Sequence, residues 1–343
     1  MKTIVVNNPA ARSSGALTIL LEFLDKISTL KCERQFICFV SLEELKKYES
    51  EKIKIVVINK QGFKDRILWD NFRLKNYLKT QDIKPDLFIS MQNTGSNLEK
   101  TIPQIIYYHQ PLSIVDLKWD FFKKNQRIYW MYKNIYPIFI KQHLDKVKKV
   151  IVQTKWVKDG FNKKFDYSKD NITLMKTEIK KIDIKLVKNI TKNKYRIFYP
   201  ATPLIYKNHK TVIEALGLLK KENLELIKNV ECIFTFSKGE NIELDKLIQK
   251  YELEDVIKLI GKISYEKVLE YYKSSDLLVF PSYLETLGLP LLEAQQFNLK
   301  ILAVNLPYSK EVLENYENVD FLDQKNILEW EKKIKSNIKR EIK

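Results

Sequence analysis

Residues 280–298 read FPSYLETLGLPLLEAQQFN. The apolar run DLLVF leading into them stops at Pro281 and Ser282, and a helical pattern opens at Gly288-Leu289-Pro290. The pattern predicts a strand, a turn and a helix. Gly288 suits a positive φ or the close approach of a ligand, Pro290 fits the first helical position, and the free N–H groups of the helix start make a place for phosphate. Glu285 before the turn and Glu293, expected in the first helical turn, would flank that place as acceptors for hydroxyl groups. Phosphate between two hydroxyl acceptors describes a sugar nucleotide. Spacing by itself carries nothing, because Glu43/Glu51 and Glu214/Glu222 are also eight apart and lack this context. Taken alone, Glu285 reads as a solvated loop carboxylate and Glu293 as a helix-start glutamate favoured by the dipole.

Around this stretch, short runs rich in Ile, Val and Phe alternate with helical patterns. TIVV (3–6), QFICFV (35–40), KIVVI (54–58), DLFIS (86–90), QIIYYH (104–109) and KVIVQT (149–154) read as strands. Residues 171–194 then form a polar, lysine-rich connection, and strands resume at YRIFYP (195–200), ECIFTFS (231–237), VIKLIG (256–261), DLLVFP (276–281) and KILAV (300–304). Runs without clean alternation suit parallel strands covered on both faces. The expected fold is α/β, with two Rossmann-like domains over 1–190 and 191–343 whose parallel sheets face each other across a ligand-binding cleft.

At 343 residues, 45% of them hydrophobic and 30% charged, the chain is long enough for two cores. Its net charge of +17 is unevenly placed: residues 1–194 carry 38 Lys+Arg against 20 Asp+Glu, and residues 195–343 carry 22 against 23. Only the first half is therefore suited to an anionic partner. Cys32, Cys38 and Cys232 have neither the number nor the spacing of a disulfide framework or zinc site, and His109, His143 and His209 are scattered. No run approaches the length of a membrane span, which points to a cytoplasmic protein.

DLLVFPSYLETLGLPLLEAQQFNLKILAVNLPYSKEVL resembles the donor-binding region of glycosyltransferase family 4, retaining transferases of the two-domain GT-B fold. The family pattern of Pro-Ser, Glu, Gly-Leu-Pro and Glu-Ala is all present. The resemblance implies that Glu293 holds ribose hydroxyls, Glu285 holds sugar hydroxyls, and Thr286, Gly288 and Leu289 line the phosphate turn. YPATPLIYKNHKTVIEAL is similar to the family's first strand–loop–helix of the donor domain, which assigns Lys207 to the donor diphosphate. VIKLIGKISYEKVLEYY places Lys262 and Ile263 against the base. QIIYYHQP resembles the strand whose terminal histidine, here His109, lies near the donor sugar. KVIVQTKWVKDG matches the strand closing the acceptor domain, with Thr154 on the acceptor side, and the loop at Gly15 matches a glycine loop on the phosphate side. Thr202 stands where the family commonly has an arginine, and Ser237 where a glycine is common.

The resemblance implies a UDP- or GDP-sugar donor and a glycan acceptor, with a polyprenyl-diphosphate-linked glycan of bacterial capsule or lipopolysaccharide assembly as the expected form. No D-x-D triplet occurs, in keeping with catalysis that uses no metal and no other cofactor. The stretch 118–149 interleaves aromatics with nine Lys/Arg against two Asp. It reads either as a helix pair with a lysine-coated face or as a surface for an anionic membrane, which would make the protein peripheral at the inner face. Nucleic acid is the rival partner for that charge, but no recognition-helix or RNP-like pattern appears. A nucleotide-sugar-binding protein without transferase activity and a basic nucleic-acid-binding protein remain the alternative functions.

Overall fold

The computed structural model describes residues 2–12, 14–59, 62–175 and 181–341. The chain divides into two compact units, residues 1–176 and 177–343.

In the first unit, the strands are β1 (Lys2–Asn7), β2 (Arg34–Val40), β3 (Ile53–Val57), β4 (Leu87–Ser90), β5 (Gln104–Tyr107), β6 (Val147–Val152) and β7 (Ile172–Leu174). They form a sheet in the order β3-β2-β1-β4-β5-β6-β7. Every pairing is parallel, as the unbroken apolar runs predict. One core cluster includes Ile4, Val6, Leu20, Leu24, Phe36 and Cys38, and another includes Val5, Phe39, Trp69, Leu74 and Phe88. The two draw on alternate residues of β1 and β2, so both faces of the sheet are covered.

In the second unit, β8 (Tyr195–Tyr199), β9 (Val230–Phe234), β10 (Ile257–Leu259), β11 (Leu277–Phe280), β12 (Lys300–Val304) and β13 (Val319–Leu322) stand in the order β10-β9-β8-β11-β12-β13. These too pair only in parallel. In each unit the chain first builds outward on one side of its first strand and then returns to the other side. The switch falls between β1 and β4 in one sheet and between β8 and β11 in the other, the place where open parallel sheets commonly take their ligands.

Several expectations are corrected. β7 lies inside the stretch read as a connection, where Ile172 is buried and pairs with Val150. β13 was not anticipated, because VDFL is only partly covered along an edge. Residues 181–190, assigned by sequence to the first domain, are tied to the second unit. Ile182 donates its N–H to Gln296 Oε1 at 2.8 Å, and Lys273 Nζ donates to the carbonyls of Ile184 and Val187 at 2.9 and 2.6 Å. The helical stretch beginning at Trp69 is interrupted, with a π-helical turn over Trp69–Arg73 before the α-helix Leu74–Thr80. Among the described residues no helix is long and apolar enough to cross a membrane.

Arg196 locks the start of the second unit. Its guanidinium is buried and donates to Glu231 Oε1 and Ser274 Oγ, both at 2.7 Å, and to the carbonyls of Ile190 and Thr191 at 3.4 and 3.3 Å. Removing it strands Glu231 without its charge partner, so Arg196→Ala is expected to destabilise the second unit by about 3–5 kcal/mol. Denaturant unfolding checks this, and a loss below about 1 kcal/mol would show that water replaces the guanidinium freely.

Candidate functional site

The loop after β8 and the loop after β11 meet at the switch point of the second sheet. Tyr283 donates its N–H to the Tyr206 carbonyl at 2.9 Å, and Asn208 Nδ2 donates to the Pro281 carbonyl at 3.3 Å. Asn208 takes the left-handed conformation (φ 57°) and precedes the helix His209–Glu222, a backbone state asparagine tolerates better than most residues. Lys207 Nζ lies 2.5 Å from Glu285 Oε1, and Ser282 Oγ donates to the same oxygen at 2.8 Å. The Lys207 and Glu285 side chains are only 17% and 14% exposed, so neither charge is fully hydrated. Tyr199 donates its hydroxyl to the Lys207 carbonyl at 2.6 Å, fixing the backbone from beneath.

Gly288 then turns the chain with φ 73° and precedes the helix Leu289–Gln296. A Cβ there would sit 3.3 Å from Leu291 Cδ1 and 3.4 Å from Tyr308 Cε2, so both backbone and packing favour glycine. Leu289 is the first helical residue, with Pro290 one place later than expected. Thr286 is half-buried between Glu285 and Gly288.

Glu293 is a correction in detail. It lies in the second helical turn, and tyrosines already hold it: Tyr272 donates to Oε2 at 3.0 Å, and Tyr265 also bonds the carboxylate. Burial raises its pKa above the ordinary carboxylate value, against the pull of the two hydroxyls. Both tyrosines belong to the helix Tyr265–Ser274. They are seven residues apart and therefore on one face, a signal present in YEKVLEYY but uninterpretable without knowing what that face meets. Lys262 is exposed and Ile263 half-buried, in the loop entering this helix. The glycine requirement falls just before them, at Gly261 (φ 73°), where a Cβ would lie 3.0 Å from Ser237 Oγ.

In the first unit, His109 lies beyond the end of β5. Its backbone N–H donates to Asn93 Oδ1 at 2.7 Å, and its Nε2 is 3.1 Å from the Met91 carbonyl. Since a carbonyl only accepts, the proton is on Nε2 and Nδ1 is left as the acceptor. Burial lowers the His109 pKa, so the ring is neutral at pH 7. Thr154 is buried and caps the helix Lys155–Phe165 by position, without a side-chain cap bond. Gly15 is a correction: it is helical, the second residue of Ser14–Thr29, and a Cβ there would meet nothing within 4 Å.

The sequence reading missed the polar centre of the first unit. Asp70, on the π-helical turn, is buried and accepts from Asn7 Nδ2 (3.1 Å), Gln92 Nε2 (2.8 Å), Thr94 Oγ1 (2.7 Å) and Ser96 Oγ (3.3 Å). Asn7 ends β1, and the others follow β4, so this carboxylate knits the loops at the first sheet's switch point. Burial pushes its pKa up to about 6, opposed by these bonds and by Arg66. The signal available was a carboxylate in line with Leu74 and Leu78, four and eight places on, in an otherwise apolar helical stripe. His143 and His209, read as structural, are buried, the first with Nε2 at 2.9 Å from Asn71 Oδ1 and the second among Tyr199, Phe234 and Phe236.

With this geometry in hand, comparisons with known proteins give the class of fold. Residues 180–343 match the family model described as glycosyl transferases group 1. The whole chain shares its fold with WaaG, a glycosyltransferase involved in lipopolysaccharide biosynthesis, at a TM-score of 0.71 and 12% identity, covering 99% of this chain and 91% of WaaG. It likewise matches HepE of Anabaena in complex with UDP and glucose, at a TM-score of 0.67 and 15% identity, covering 100% of this chain and 91% of HepE. The fold is GT-B. In sequence, the O-antigen chain mannosyltransferase RfbU of Salmonella typhimurium (strain LT2) is 23% identical over 243 residues, 69% of this chain. The matched region is 62% of RfbU, less than two thirds of that relative's own length.

Two predictions test these clusters. Because Glu293 has a folded-state pKa above its unfolded one, its contribution to stability is fullest below the ordinary carboxylate range and is lost as pH rises through the raised value. Glu293→Gln should therefore gain stability relative to the wild type between about pH 4 and 7, read as thermal midpoints across that range. A constant difference would mean that the carboxylate is not strained by burial. Asp70→Ala, which orphans four buried partners, should cost the first unit about 3–5 kcal/mol in denaturant unfolding, while Glu43→Ala on the exposed surface should cost under about 0.5 kcal/mol.

Proposed function

We propose that the protein is a retaining, metal-independent glycosyltransferase that moves a sugar from a nucleotide-diphosphate donor to a hydroxyl of a glycan acceptor. The single observation that carries this reading is the Lys207–Glu285 pair, mostly buried at the switch point and followed at once by the Gly288 turn and a helix start. A buried ion pair is weak as a device for stability, because desolvation offsets most of its attraction. It is well suited to a ligand that brings both phosphate and hydroxyl groups. The ammonium would turn to the diphosphate, and Glu285 would exchange it for sugar hydroxyls.

In the proposed reaction, Lys207 and the Leu289 amide face the departing diphosphate, where negative charge grows as the bond from the sugar's anomeric carbon to phosphate oxygen breaks. The acceptor oxygen bonds to that carbon from the same face, and its proton passes to the leaving phosphate oxygen. No protein nucleophile is required. Glu293 would take the ribose hydroxyls, with Thr286 beside the phosphate turn and the backbone at Lys262 and Ile263 against the base. His109, with Nδ1 as an acceptor, would approach the donor sugar, and Thr154 the acceptor. Positive charge at the diphosphate comes from lysine and helix amides, the ground for proposing that no metal is needed.

The UDP and glucose carried by HepE support a UDP-sugar donor, with a GDP-sugar the alternative. RfbU and WaaG support bacterial surface polysaccharide as the product, and a polyprenyl-diphosphate-linked glycan as acceptor fits that chemistry.

Titration calorimetry with UDP, GDP and ADP in the presence of EDTA tests the donor half of the proposal. One nucleotide should bind, and Glu293→Ala should weaken it at least about tenfold, the loss of one or two charge-assisted hydrogen bonds. Incubating the corresponding nucleotide sugars with glycan acceptors should then release nucleoside diphosphate, and Glu285→Gln should lower the rate by about 100-fold or more. Binding without release for any acceptor would identify a nucleotide-sugar-binding protein instead. No binding of any nucleotide would end the transferase reading.

A further inference from the structure

We infer that residues Lys118–Trp130 of the first unit form a docking surface for an anionic lipid leaflet. The segment is a compact aromatic knuckle with cations around it. Phe121 packs edge-on against Phe122 and Trp130, with ring centroids 5.8 and 4.9 Å away, and Trp119 packs on Tyr129 at 4.8 Å. Its backbone is pinned: Asp120 N–H donates to Gln126 Oε1 and Phe122 N–H to Asp120 Oδ1, both at 2.9 Å. Lys133 Nζ holds the Leu117 carbonyl from the neighbouring helix Arg127–Asn134. A pinned loop that nevertheless leaves Phe122 88% exposed, with Phe121 and Ile128 also in water, gains nothing from that apolar surface inside the unit.

The surrounding charge decides what would cover it. Lys118, Lys123, Lys124 and Arg127 are exposed around the knuckle, and the Arg127 guanidinium lies over the Phe121 ring at 5.2 Å. The carboxylate within the segment, Asp120, is turned to its own backbone. Cations that ring an apolar tip match a leaflet whose headgroups are negative and whose interior is hydrocarbon, and Trp settles between the two. Single-stranded nucleic acid would need open ring faces for stacking. Here Phe121 packs on Phe122, Trp130 and Arg127, and Trp119 on Tyr129, so the knuckle presents one protruding apolar tip at Phe122 and no row of open rings, which favours the lipid. The inference does not depend on the transfer reaction.

Flotation of the full chain with phosphatidylcholine vesicles, with and without phosphatidylglycerol, tests it. Binding should require phosphatidylglycerol and weaken with salt. Phe122→Ser should reduce the partition coefficient about tenfold, and Lys123→Glu with Lys124→Glu at least about 25-fold, taking about fivefold per cation. These side chains are exposed, so unchanged thermal midpoints and unchanged nucleotide binding should accompany the losses. Equal partitioning onto both vesicle types, or variants that bind as the wild type does, would overturn the inference. So would salt-sensitive retention on single-stranded DNA without vesicle binding, which would assign the knuckle to nucleic acid.

Discussion

The contact between Lys207 and Glu285 joins two loops that the sheet order sends in opposite directions. The Tyr283–Tyr206 and Asn208–Pro281 bonds tie the same two loops through the backbone, and the ion pair adds a tie between side chains. With it, Ser282, Tyr206 and Asn208 fall into a single bonded layer, and the Gly288 turn is presented on a fixed base. Tyr308 supports the same layer by donating to the Ser282 carbonyl. Two charges held mostly out of water in that layer gain little net stability from each other alone.

The first unit solves the same geometrical problem with different chemistry. At its switch point a lone carboxylate, Asp70, is surrounded by amide and hydroxyl donors from β1 and from the segment after β4. Such a hub, with four donors on one carboxylate, is suited to holding loops in place, while in the second unit Glu285 accepts from Lys207 and Ser282. The π-helical turn at Trp69–Arg73 fits this role, since it widens the helix where Trp69, Asp70 and Asn71 are all buried. Trp69 Nε1 reaches Asn7 Oδ1 at 2.9 Å, so the turn also fastens the end of β1.

Charge is partitioned as the chemistry is. The second half is close to neutral overall and carries the paired Lys207–Glu285 site, and the basic excess lies in the first half. Part of that excess lines the exposed aromatic segment at Lys118–Trp130, where it is spatially ordered and not merely abundant.

Local pattern alone specified the class of fold. Parallel strands buried on both faces must be continuously apolar, and that property survives in the sequence without knowledge of any neighbour, as QFICFV, KILAV and DLLVF show. The turn at Gly288 was equally legible, because a left-handed residue followed by proline and a helix is a short-range requirement. Tertiary structure decided the partners. Lys207 and Glu285 are 78 residues apart, Asp70 and Asn7 are 63 apart, and Glu293 meets tyrosines from the preceding helix. An edge strand such as β13 and the attachment of residues 181–190 were settled there as well, since weakly patterned segments take their structure from what they pack against. Side-chain periodicity records which face of an element is buried, but the identity of the group facing it is fixed only when the sheet order brings distant loops to the same strand ends.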